Sequence, residues 1–177
     1  MTKIFLALLL LILSGLTLFA QEKDTSARRN EFNGTWVLEK TINRYDSGKK
    51  LFDQTLLFIT FKDNEFKITK VFVTGKKAAN YTISLLTDKS GETNNYTGFD
   101  GEIERTSKTH WEKATLVSIY KLKISDKKIT LGGTERYSLS KDGQQLSIEA
   151  VQTYPAVPLI LEDSLKTRWV YRRKESK

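Results

Sequence analysis

From Trp36 almost to the C-terminus, apolar and polar residues alternate with a period of two, the pattern of strands that bury one face. Trp36 and Leu38 share one side of the first strand. Leu56 to Phe61 is apolar at nearly every position, as expected of a barrel wall or a strand covered on both sides. Phe66, Ile68 and Phe72 fall on one side of the next strand, with Lys67 and Thr69 on the other, and the polar link Lys62-Asp63-Asn64 joins the two as a hairpin. Tyr81, Ile83 and Leu85 repeat the pattern. So do Leu116, Tyr120, Leu122 and Ile124, after which Ser125-Asp126-Lys127-Lys128 turns the chain into a strand over Ile129–Leu139.

Asp142-Gly143 marks a tight reversal, because glycine accepts positive φ without a Cβ clash, and Leu146, Ile148 and Ala150 return from it. Pro155 and Pro158 end that strand, since proline has no N–H to give to a ladder. A last strand over Lys166–Lys174 puts Trp169 and Tyr171 on one face. Short strands joined by tight turns, with no βαβ alternation, predict an all-β fold: an antiparallel up-and-down β-barrel of about 8–10 strands, with no exposed sheet edge. A β-sandwich is the alternative. Gly132-Gly133 inside a strand reads as a bulge.

Ahead of the strands, Lys3, the apolar run Ile4–Leu13 and small residues ending at Ala20, with no acid before Glu22, have the charge, length and polarity of a secretory signal peptide. The chain thus divides into a signal peptide (1–20), a polar lead without helical period (21–32) and one barrel domain (33–177), and the working protein is expected to be secreted or periplasmic. An uncleaved anchor is the alternative, since Ile4–Ala20 is near the lower limit of a membrane span. Cysteine is absent, which leaves stability to the core and excludes thiol nucleophiles and thiolate metal sites. A formal charge of +8 favours anionic partners such as an envelope surface, but Lys and Arg are scattered along the chain, which disfavours nucleic acid.

Catalytic signals are weak. The single histidine, His110, shares strand parity with Glu104, Thr106 and Lys108, opposite Ile103 and Trp111, and so reads as an exposed residue. Asp100, Glu102 and Glu104 are the one acid cluster, and Phe99-Asp100-Gly101-Glu102 is more simply a turn. No nucleophile elbow or phosphate-binding glycine loop is present. No catalytic residue, metal or cofactor is therefore expected, and an isomerase or hydrolase using interior carboxylates and tyrosines ranks last.

Asn33-Gly34-Thr35-Trp36 resembles the Gly-x-Trp signature of lipocalins, and Trp111–Leu116, Leu139–Leu146 and the closing strand around Trp169 and Tyr171 resemble exported bacterial lipocalin-like proteins. That resemblance implies a calycin-type barrel whose central cavity takes a small lipophilic or amphipathic ligand, without any reaction. If the face carrying Phe66, Tyr81, Leu116, Leu131, Leu146 and Trp169 points inward, then Lys70, Ser118, Glu135, Gln152 and Arg173 are polar groups at inward positions. A mostly apolar cavity with a few convergent polar groups suits a small molecule. The candidate cavity residues are Trp36, Phe66, Lys70, Phe72, Tyr120, Glu135, Gln152, Trp169, Tyr171 and Arg173, with Glu135 or Arg173 orienting the ligand's polar end. A bulge at Gly132-Gly133 would instead turn Glu135 outward and bring Arg136 in. The expected protein is a monomeric, non-enzymatic binder. Its rival is a structural or interaction protein of the envelope with a barrel filled by its own side chains.

Overall fold

Among the described residues, the alternation becomes ten strands: β1 (Gly34–Asn43), β2 (Gln54–Lys62), β3 (Glu65–Thr74), β4 (Lys77–Leu86), β5 (Glu92–Gly98), β6 (Gly101–Glu112), β7 (Thr115–Ile124), β8 (Ile129–Leu139), β9 (Gln145–Thr153) and β10 (Ser164–Arg173). The computed structural model describes residues 27–43, 52–98, 101–125, 129–153 and 164–175. The expected signal peptide (1–20), most of the polar lead, Pro155 and Pro158, and the centres of the turns at Phe99-Asp100 and Asp126-Lys127-Lys128 lie outside the described residues.

All ten strands form one antiparallel sheet in the order β4-β3-β2-β1-β10-β9-β8-β7-β6-β5. Every strand shares a ladder with its chain neighbours, except that β4 and β5 do not pair. β1 pairs with β10, which curls the sheet into a barrel and removes the sandwich alternative. β4 and β5 pack together without sharing a ladder, and side chains supply the missing bonds. Asn94 Oδ1 accepts from the Ser84 N–H at 2.8 Å while its Nδ2 donates to the Ser84 carbonyl at 2.9 Å, and Glu92 Oε2 accepts from the Leu86 N–H at 2.9 Å. These bonds satisfy edge groups that burial would otherwise leave unpaired.

One end of the barrel is filled. Trp36, Leu57, Ile59, Phe66, Leu85, Leu116, Leu146 and Tyr171 pack there with almost no exposure. Phe32, assigned from the sequence to the polar lead, belongs to this core: it is fully buried, with its ring 5.5 Å from Phe66 and 5.6 Å from Trp111. A single helical turn at 27–30 delivers it, and Arg28 Nη2 ties that turn to the Ser140 carbonyl at 2.9 Å. One aromatic in a polar stretch has no period to betray it, so only the packing shows that this segment plugs the barrel. Along β2, Leu57 and Ile59 point in while Phe58 is 42% exposed, so the apolar run is a barrel wall and is not covered on both faces.

The expected bulge at Gly132-Gly133 is absent. Tyr120 pairs with Gly133 and Lys121 with Gly132 in unbroken register, and Gly133 pairs with Gln152 on the other side. Glu135 therefore keeps its inward place and Arg136 is exposed. The register shifts instead in β1, between Leu38 and Lys40. Gly133 is required by packing: a Cβ there would lie 2.6 Å from the Tyr120 ring and hydroxyl and 2.8 Å from the Val151 carbonyl. Gly133→Ala should therefore cost about 1–3 kcal/mol through overpacking. A urea midpoint equal to that of the parent protein would show that the Tyr120 ring has room to move.

Candidate functional site

Inward positions of β6 read Ile103, Arg105, Ser107, Thr109 and Trp111, so three polar side chains face the interior from one strand. Arg105 and Thr109 are buried, as is Ser118 from β7. Arg105 Nη2 donates to Glu135 Oε2 at 2.8 Å, and the Tyr137 hydroxyl donates to the same oxygen at 2.7 Å. Arg105 Nη2 also reaches Ser118 Oγ at 3.3 Å, which accepts from Thr109 Oγ1 at 3.0 Å. The guanidinium lies 4.3 Å from the centre of the Tyr120 ring, the contact for which Gly133 makes space.

Burial opposes ionisation of Glu135, yet the Arg105 charge and hydrogen bond, the Tyr137 hydroxyl and Lys70 together outweigh it and hold the carboxyl below its ordinary range. Burial likewise opposes charge on Arg105, and Glu135 more than offsets it, so the guanidinium stays charged. Burial, reinforced by Glu135, raises the Tyr137 hydroxyl. The Arg105–Glu135 pair is thus internally neutral.

Lys70 enters this layer from β3. Its ammonium lies 5.3 Å from the ring centres of both Phe72 and Trp169, and burial pulls its pKa down against the attraction of Glu135. Among the described residues it makes neither an ion pair nor a hydrogen bond. Three further donors in the barrel wall are buried without a partner among the described residues: Arg105 Nε and, in the filled end, the Tyr171 hydroxyl and Trp111 Nε1. Beyond this layer, away from the filled end, Phe72, Tyr81, Tyr96 and Trp169 face inward but remain half-exposed. Among the described side chains this half of the interior is therefore less tightly packed than the filled end. Tyr81 and Tyr96 stack at 4.6 Å across the β4–β5 seam.

The ten residues singled out from the sequence separate into three groups. Lys70, Phe72 and Trp169 line the less packed half, and Gln152 stands on the same face of β9 opposite Gly133. Tyr120 and Glu135 belong to the intervening wall, and Tyr171 is buried in the filled end with its hydroxyl unpaired. Trp36 and Phe66 are wholly buried in the filled end and line no cavity.

Arg173 is also at that end: its guanidinium lies 4.2 Å from the Trp36 ring centre and donates to the carbonyls of Asn33 at 2.9 Å, Gly143 at 3.2 Å and Glu31. It is therefore committed to closing the barrel and does not reach a ligand in the less packed half. Gly34, at φ +140°, leaves it room, since a Cβ there would sit 2.8 Å from Nη1.

Arg105 escaped the sequence reading, although its parity with Ile103 and Trp111 marks it as inward-facing. His110 is half-buried on the outer face, 3.4 Å from Glu112. Among the described residues no three His, Asp or Glu side chains converge on a point where a metal could sit.

No family model and no curated protein matches this chain. Among solved structures, a Schistosoma mansoni fatty acid binding protein in complex with arachidonic acid aligns over 84% of this chain and 99% of its own at 13% identity and a TM-score of 0.50. Secretory abundant heat soluble protein 4 from Ramazzottius varieornatus aligns over 82% and 96% at 14% identity and a TM-score of 0.47. At such identity the likeness to the fatty acid binding protein is one of fold alone, an antiparallel β-barrel.

Proposed function

We propose that this protein is an exported, non-enzymatic carrier that binds a single small amphipathic molecule in the less packed half of its barrel. The observation that carries the reading is the inward ammonium of Lys70, which has no hydrogen bond or ion pair among the described residues, beside a half-exposed aromatic wall. An apolar body against Phe72, Tyr81, Tyr96 and Trp169 would supply affinity by burial, and an acceptor-bearing end would relieve a donor that is costly to leave unpaired. Because Glu135 is already engaged by Arg105 and Tyr137, and Arg173 closes the other end, Lys70 is the residue that orients the polar end. The fatty acid binding protein of similar fold was solved with arachidonic acid, a ligand of this amphipathic class, which supports the same reading. Export rests on Lys3, the Ile4–Leu13 run and Ala20.

Titration with fatty acids, retinoids and polycyclic dyes should give saturable, one-to-one quenching of tryptophan fluorescence through Trp169. Lys70→Gln should weaken carboxylate ligands about tenfold or more, the worth of one charge-assisted hydrogen bond, and barely affect the matching alcohols. If no member of the panel binds and a crystal structure shows this half packed by side chains, the protein is a structural or interaction protein instead.

A further inference from the structure

The outer surface across β6–β9 carries an open groove of about 840 Å3. Its floor is made of two cross-strand rows. The first runs Lys108–Ile119–Thr134–Val151 and continues to Lys166 on β10. The second runs Thr106–Lys121–Gly132–Thr153. On the side nearer the filled end, the next row carries the long side chains Arg136 and Arg168, already paired with Glu112 at 2.5 Å and Glu149 at 3.6 Å. Short floor residues beside this row make the trough.

Three features of the trough point to a ligand. Ile119 is 55% and Val151 40% exposed, the two apolar residues of a row that ends in lysine on both sides. Gly132 leaves the backbone bare for no reason internal to the fold: a Cβ there would meet only the Tyr120 carbonyl, at 4.0 Å, in contrast to the crowded Gly133. Glycine weakens a strand, and where packing does not demand it, it marks a close approach from outside. Lys108 and Lys121 line the groove, whereas the one acid among its described lining residues, Glu92, turns its carboxylate to the Leu86 N–H and the Ser107 hydroxyl.

We propose that this groove is a second, outer binding site for an anionic single-chain amphiphile, with the acyl chain along Ile119, Gly132 and Val151 and the acidic head group on Lys108 and Lys121. An extended peptide suits it less. The groove crosses strands whose N–H and C=O groups are committed to ladders on both sides, so a peptide backbone would find few partners, whereas an acyl chain needs none. The inference is independent of the interior site.

The test is an amide NMR titration of the protein with palmitate below its micelle concentration. Saturable shifts are expected at Ile119, Gly132 and Val151. Gly132→Phe, which fills the trough, should weaken them at least about tenfold, while Trp169 quenching by interior ligands is unchanged. Gly132→Val serves as the milder filling should the larger one unfold. Replacing Lys108 and Lys121 by Gln should weaken palmitate several-fold and leave hexadecanol unaffected. The proposal is overturned if the shifts are absent or survive both fillings. It is equally overturned if they arise only with phosphatidylglycerol vesicles, which would make the face a bilayer-docking surface, or if an acidic peptide displaces palmitate.

Discussion

Trp36→Ala should remove a large part of the protein's stability and lower its melting temperature sharply. Trp36 is fully buried where three parts of the closed end meet. Its indole Nε1 donates to the Phe32 carbonyl at 3.0 Å, which holds the N-terminal plug, and its ring carries the Arg173 guanidinium that gathers the carbonyls of Glu31, Asn33 and Gly143. Truncation leaves a cavity the size of an indole, which costs about 3–5 kcal/mol. Whole domains of this size are stable by only about 5–15 kcal/mol. Denaturant unfolding of the variant should therefore show a midpoint reduced by a large fraction of its starting value. A melting temperature within error of the parent's would mean that the Arg173 stack and the Phe32 plug do not support the fold.

Glu135→Gln has the other large effect, and its size depends on pH. The substitution strips Arg105 of its counter-charge and leaves Lys70 in the same interior without an opposing carboxylate. Removing one partner of a buried pair typically costs about 3–5 kcal/mol, because the remaining charge stays desolvated. The folded Glu135 carboxyl is held below the ordinary glutamate range, since Arg105, Tyr137 and Lys70 outweigh the cost of burial. A depressed carboxylate contributes stability that is fully present above the unfolded pKa and is lost as the pH falls through the folded one. The gap between parent and variant should therefore be widest near neutrality and narrow progressively below about pH 4.5.

Replacing Arg105 by Met in the same chain should recover part of the loss, since the double variant no longer buries the orphaned guanidinium. Unfolding free energies that differ by less than about 1 kcal/mol at pH 7 would match a solvent-exposed pair and sink the buried-layer description.

Much of the architecture is local and was therefore readable. A period of two sets which residues of a strand share a face, so Trp36 with Leu38, Phe66 with Ile68, and Trp169 with Tyr171 were legible as facing partners. Asp142-Gly143 placed a hairpin because glycine takes the observed φ of +68° without a Cβ clash. The candidate site was half-legible for the same reason: parity put Lys70 and Glu135 inside, and it would have put Arg105 inside as well had Ile103 and Trp111 been used as its guides.

The remaining features depend on residues distant in the chain. Parity says that a side chain points inward but not which other strand it meets, so the pairing of Arg105 with Glu135 across β7, and the loss of Arg173 to the filled end, waited on register accumulated around the whole sheet. Phe32 entered the core from a segment with no periodic signal. Gly133 yields to the ring of Tyr120, a contact that exists only once β7 and β8 are aligned, and Gly132 beside it yields to nothing inside the barrel. The sequence by itself determined most of the strands and their inner faces, because those are set by neighbours one or two residues away. The tertiary structure alone decided which end of the barrel is filled, which charges cancel and which donors are left over, because those depend on contacts that form only when the sheet closes.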